Sequence, residues 1–127
     1  MGLTDEEVLK NFAHSWAETE KQYGQVIDEY EGFHFLVPLF LLIQRMKAAG
    51  ADRYFRLGTT NRKLTFSRSA EAFLRPDQQF LEIEARENSF VVTLKDLKKM
   101  HRQYTIKELD DERLTELLQL IKDGPVG

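Results

Sequence analysis

Between Phe33 and Ile43 nine of eleven residues are apolar, broken only by His34 and Pro38. As a helix this run would reach about 16 Å, roughly half the 30 Å hydrocarbon core of a bilayer, so it cannot span a membrane. That much contiguous apolar surface has to be covered by the rest of the chain or by a partner. Phe33–Ile43 is therefore expected to be the hub on which the remaining elements assemble.

Ahead of the hub, Thr4 and Glu7 form a capping box, and Asp5, Glu6 and Glu7 suit the positive end of a helix dipole. Val8, Phe12, Trp16, Tyr23, Ile27 and Tyr30 then recur at helical spacing. Run unbroken to Glu31, this helix would be about 42 Å long, more than the roughly 36 Å diameter of a compact chain of this size. A bend or break near Gly24, or a projecting end, is expected. Pro38 fits the first turn of a second helix, where its missing N–H costs nothing, and Gly50 closes that helix after Ala49.

From residue 53 the apolar period changes to two. Phe55 and Leu57, then Leu64 and Phe66, alternate with polar residues on either side of a turn placed at Gly58-Thr59-Thr60-Asn61. Leu81, Ile83 and Ala85 repeat the pattern, Glu87-Asn88-Ser89 turns, and Phe90, Val92 and Leu94 return. Between the hairpins, Ser69 to Pro76 suits a short helical turn. After Thr93, the spacing of Leu94, Leu97, Met100, His101 and Tyr104 reads as helix, and Leu114, Leu117, Leu118 and Ile121 mark a last helix before Gly124-Pro125. Thr105 to Leu109 is open to two readings, helix or a short fifth strand, because Thr105, Asp110 and Asp111 all qualify as caps. The expected fold is one α+β domain over residues 1–127. Two consecutive hairpins would form a four-stranded antiparallel sheet, with two N-terminal helices and one or two C-terminal helices packed on one face.

The net charge of −3 gives the whole chain no electrostatic pull toward nucleic acid or anionic membrane. The charge is segregated, however: residues 1–32 sum to −6, 33–75 to +6, 76–107 to +1 and 108–127 to −4. With no cysteine, thiol catalysis, disulfides and thiolate metal sites are all excluded. The start, Met1-Gly2-Leu3-Thr4-Asp5-Glu6, carries no export or lipidation signal, and a cytoplasmic location is expected.

Arg53, Arg56, Arg62, Lys63, Arg68 and Arg75 gather on and after the first hairpin beside Tyr54, Phe55 and Phe66, a combination able to hold phosphates or stack bases. Strand alternation offers a plainer account, in which Lys63 and its neighbours share an outer face with Glu82 and Glu84 and pair with them. Arg68 falls in phase with core-facing Leu64 and Phe66, so either the strand has ended there or its guanidinium has a specific partner. Lys95, Lys98, Lys99 and Arg102 make a second basic run on the expected post-sheet helix.

No catalytic residue is nominated, since His14, His34 and His101 are scattered and neither a phosphate loop nor a nucleophile elbow is present. His14 and Glu18 share a helix face at i and i+4, but nothing in the sequence nominates a third metal ligand, so no metal and no cofactor are expected. The apolar excess of the second helix is the remaining feature. Phe40 and Leu41 are the residues expected to reach an interface with a protein partner or a second copy of the chain, with no membrane involved. The functional expectation is a non-enzymatic interaction module, and the alternative is a binder of an anionic ligand or nucleic acid through the Arg53–Arg75 cluster.

Overall fold

The computed structural model describes residues 2–71 and 76–127. Residues 72–75 of the expected turn over 69–76, Arg75 among them, lie outside the described residues. The architecture is α+β. Helix α1 (Asp5–Glu29) is followed by a 3₁₀ segment (Glu31–Leu36) and α2 (Val37–Ala48). Strands β1 (Arg56–Thr60), β2 (Lys63–Ser67), β3 (Phe80–Ala85), β4 (Phe90–Lys95) and β5 (Met100–Ile106) come next, and α3 (Glu112–Lys122) closes the order. The strands form one antiparallel meander in sequence order, β1-β2-β3-β4-β5. The sheet thus has five strands rather than the expected four.

The helix boundaries follow from local chemistry. Thr4 caps α1 by accepting the Glu7 N–H, and Asp111 caps α3 by accepting the Arg113 N–H. Pro38 sits in the first turn of α2, and Gly50 stands just past its end at φ +88°, a left-handed conformation that glycine adopts without a Cβ penalty. Helix α1 does not break at Gly24: it runs 25 residues, about 37 Å. The Phe40 ring packs beside Gly24, where an added Cβ would meet it at an ordinary contact distance of 3.4 Å.

The first hairpin turns at Asn61-Arg62, two residues later than the sequence suggested, and both have positive φ (51° and 63°). That is the two-residue turn whose twist matches antiparallel strands. Gly58, expected in the turn, lies in β1 opposite Thr65, whose hydroxyl would be 2.9 Å from any Cβ added there. The second hairpin matches expectation, with Arg86 N–H bonding the Ser89 carbonyl across the loop.

The helix expected after Thr93 is a turn and a strand. Asp96 Oδ1 accepts the N–H groups of Lys98 and Lys99 at 2.7 and 2.9 Å, closing the turn, and β5 then pairs with β4. The helical spacing misled because Leu97 and Met100 are exposed (54% and 56%) and take no part in the core. The inward period of β5 is two: Tyr104 lies opposite Val92, and Ile106 opposite Phe90. Thr105 and Ile106 thus belong to the strand.

Trp16 and Tyr23 of α1, Leu36, Leu39 and Ile43 around α2, and Leu114, Leu117 and Ile121 of α3 join the inward residues of all five strands in one buried cluster. Leu36, Leu39, Leu42 and Ile43 are buried, so most of the apolar hub is core. No described helix is long and apolar enough to cross a membrane.

Candidate protein-binding surface

Helix α2 presents two unlike residues where the sequence suggested one patch. Phe40 turns toward α1, half-buried against Gly24. Leu41, about 100° further round the helix, is 47% exposed. Phe35 is also exposed, and with Leu41 it lines a groove of about 560 Å³. The groove lies between the start of α2, the β3–β4 loop (Arg86–Ser89) and the segment Lys107–Leu109 that leaves β5. Its charged lining is mixed: Arg45, Arg86 and Lys107 against Glu87 and Glu108. His34 is exposed on the same wall.

The basic residues of the first hairpin do not converge. Arg53 is exposed in the short 3₁₀ turn before β1. Arg56 lies at one end of β1 opposite Ser67, while Arg62 and Lys63 lie at the far end of the hairpin. Arg56 is partly buried, which lowers its pKa, and it reaches the Ala70 carbonyl at 3.5 Å. Arg62 lies over the Phe33 ring, 4.3 Å from its centroid. Lys63 sits 3.8 Å from both Glu82 and Glu84, and Lys95 approaches Glu82 at 3.2 Å. The outer-face pairing expected from strand alternation is therefore present, and it neutralises the centre of the sheet's outer face.

Strand β2 ends at Ser67, so Arg68 lies just beyond it. Its Nε is buried without a hydrogen-bond partner, and burial lowers its pKa against the opposing pull of the Asp123 carboxylate. The Arg68 carbonyl accepts the Gly127 N–H, and Ala70 N–H returns a bond to Gly127, so the C-terminal residue lies alongside 68–70.

His14 and Glu18 are exposed on α1, and no group of three metal-ligating side chains occurs among the described residues. His101 makes a 2.8 Å bond to Asp96. With the Lys99 and Lys98 amides, that bond holds the Asp96 carboxyl down to a pKa of about 2. The pair sits on the exposed β4–β5 turn, where it organises the turn.

Sequence reasoning missed three polar anchors between α1 and the first hairpin. Ser15 Oγ accepts the Leu57 N–H at 2.9 Å, Trp16 Nε1 donates to the Phe55 carbonyl at 2.8 Å, and Tyr23 hydroxyl donates to the Arg62 carbonyl at 2.9 Å. Their only signal was polar atoms at helical spacing on an otherwise apolar stripe. Comparison with known protein families, with curated proteins and with solved structures finds no match for this chain.

Proposed function

We propose that this chain is a single-domain, non-enzymatic interaction module that docks a protein through the Leu41 groove, a second copy of the chain being the occupant the rim suits best. One observation carries the reading: on a helix whose other inward residues are buried, Leu41 is 47% exposed and shares its groove with exposed Phe35. In this reading α1, α2 and α3 cover the sheet face bearing Leu57, Leu64, Ile83 and Val92, a view supported by their common core cluster. The rim carries both signs, so a twofold axis can bring Arg45 of one copy to Glu87 or Glu108 of the other.

The test is solution mass across a concentration range. Wild type is expected to rise above the 14.9 kDa monomer with concentration, and Leu41→Asp to stay monomeric and folded. The substitution removes only half-exposed apolar surface, a stability cost of about 1 kcal/mol. Leu39→Asp, at a position with 0% exposure, is expected to unfold the chain. A wild type that remains monomeric throughout, with Leu41→Asp indistinguishable from it, refutes docking of a second copy.

The anionic-ligand alternative has weaker support, because Lys63 is engaged by carboxylates and Arg62 by Phe33. A flat salt response with polyphosphate or oligonucleotide would remove it.

A further inference from the structure

The two edges of the sheet are treated differently. On the β1 side α1 lies along the strand, and Ser15 Oγ takes up the Leu57 N–H, a backbone group that would otherwise face outward. Trp16 and Tyr23 anchor the same helix to the carbonyls of Phe55 and Arg62. That edge is closed to another strand. On the far side β4 is the described element that packs extensively along β5, with Arg113 of α3 reaching only the Tyr104 ring. No described backbone or side-chain group bonds to the main chain of Met100–Ile106 from outside the β4 ladder. In an antiparallel ladder every second residue of an edge strand turns its N–H and C=O outward, a template for an added strand.

The chemistry of this edge selects its occupant. Residues 95–107 hold five lysines and arginines, of which Lys95 is paired with Glu82 of β3 and Lys107 lines the Leu41 groove; the one carboxylate of the stretch, Asp96, is engaged by His101 and two backbone amides. Lys98, Lys99 and Arg102 are left at this edge, and all three are exposed. Cations on an edge strand oppose pairing with an identical edge, so they keep the edge open while favouring a strand of opposite charge. The geometry is also fixed in advance. Asp96 locks the turn, and the ladder skips His101, which is a bulge between Met100 and Arg102. Beyond it, Arg102–Ile106 is a regular run of five residues, about 17 Å long, without proline or acidic side chains.

We propose that the free edge of β5 is a docking site for an extended acidic segment of a partner protein, which adds to the sheet as a sixth strand. Main-chain hydrogen bonds supply the attachment, and Lys98, Lys99 and Arg102 select the charge. This surface is distinct from the Leu41 groove and stands whether or not that groove binds a second copy.

The probe is a fluorescent heptapeptide of alternating glutamate and valine, titrated into the full chain by anisotropy, with amide hydrogen exchange followed residue by residue. The expected result is saturable binding that slows exchange of the outward β5 amides at least tenfold and leaves β1 unchanged. A peptide N-methylated at every residue, with no N–H left to give from either edge, is expected to lose binding. A lysine-valine peptide is expected to bind at least tenfold more weakly than the acidic one, a comparison that needs no variant to fold. Lys99→Glu/Arg102→Glu, both at exposed positions, should weaken the acidic peptide at least tenfold. The proposal is overturned if the acidic peptide fails to bind, if binding survives N-methylation, or if the β5 amides keep their exchange rates. Chains that cross-link to one another through β5 would likewise overturn it, by making a second copy the occupant.

Discussion

Replacing Ser15 with alanine sets two physical expectations against each other. On helix propensity alone, Ser15→Ala in the middle of α1 should stabilise the protein by about 0.5 kcal/mol. The structure demands the opposite sign. Ser15 is 6% exposed, its hydroxyl donates to the Phe12 carbonyl at 2.6 Å, and it accepts the Leu57 N–H at 2.9 Å. Alanine leaves that N–H buried without a partner, a loss of about 1–3 kcal/mol. The net expectation is destabilisation by about 1.5 kcal/mol. With a urea m value of about 1.5 kcal/mol/M the midpoint falls by about 1 M at unchanged m. Urea denaturation followed by far-UV circular dichroism reads this directly, and Glu18→Ala, exposed on the same helix, is the control expected to stay within about 0.5 kcal/mol of wild type. A midpoint that stays put or rises for Ser15→Ala refutes the claim that α1 closes the β1 edge through this hydroxyl.

Gly24→Ala should stabilise α1 by up to about 1 kcal/mol, since the new methyl meets the Phe40 ring at an ordinary 3.4 Å; a lower thermal midpoint would contradict it. Tyr23 is buried, which pushes its hydroxyl up to a pKa of about 12, with a side-chain hydrogen bond to Thr59 acting weakly in the other direction. Its neutral form is the one the fold accepts, so this contribution to stability is complete below pH 10 and is lost as pH rises toward 12. Ultraviolet titration should show one of the four tyrosines ionising late, and Tyr23→Phe should abolish that late step. Asp96 is shifted the other way, from 3.8 to about 2, so its contribution is present above pH 4 and disappears as pH falls through 2. Asp96→Ala is expected to flatten the acid limb of a thermal-midpoint profile, and an unchanged limb would argue against the Asp96–His101 lock.

Much of the fold was legible because it rests on local chemistry. The Thr4 cap, Pro38 in a first turn, and the period-two runs of 55–66 and 81–94 each have a cause within a few residues. Strand β5 was not legible because its turn residues imitate a helical stripe: Leu97 and Met100 fall at the right spacing for a core they never enter. The position of the first turn was obscured in a similar way, since Gly58 looks like a turn residue and is instead the space into which Thr65 fits. Arg62, a residue seldom chosen for a left-handed turn position, holds it with its carbonyl tied to Tyr23 and its guanidinium over Phe33.

The candidate surface was half legible. Composition located the apolar excess on α2, but which of Phe40 and Leu41 stayed exposed depended on how α2 packs against α1, a contact no local pattern announces. The basic residues from Arg53 to Lys63 similarly looked continuous in sequence, and strand reversal at Asn61-Arg62 distributed them to opposite ends of a hairpin. The basic run of 95–102, read as a helix face, became the border of an open sheet edge.

The central claim is a five-stranded sheet whose β1 edge is closed by α1 and whose β5 edge is free. Residue-resolved hydrogen exchange on the unliganded protein tests it most directly. The account predicts a protected Leu57 amide on the α1 side and, along Arg102–Ile106, protection that alternates residue by residue between the β4-facing and outward amides. Rapid exchange at Leu57, or continuous helix-like protection from Leu94 through Tyr104, would contradict it.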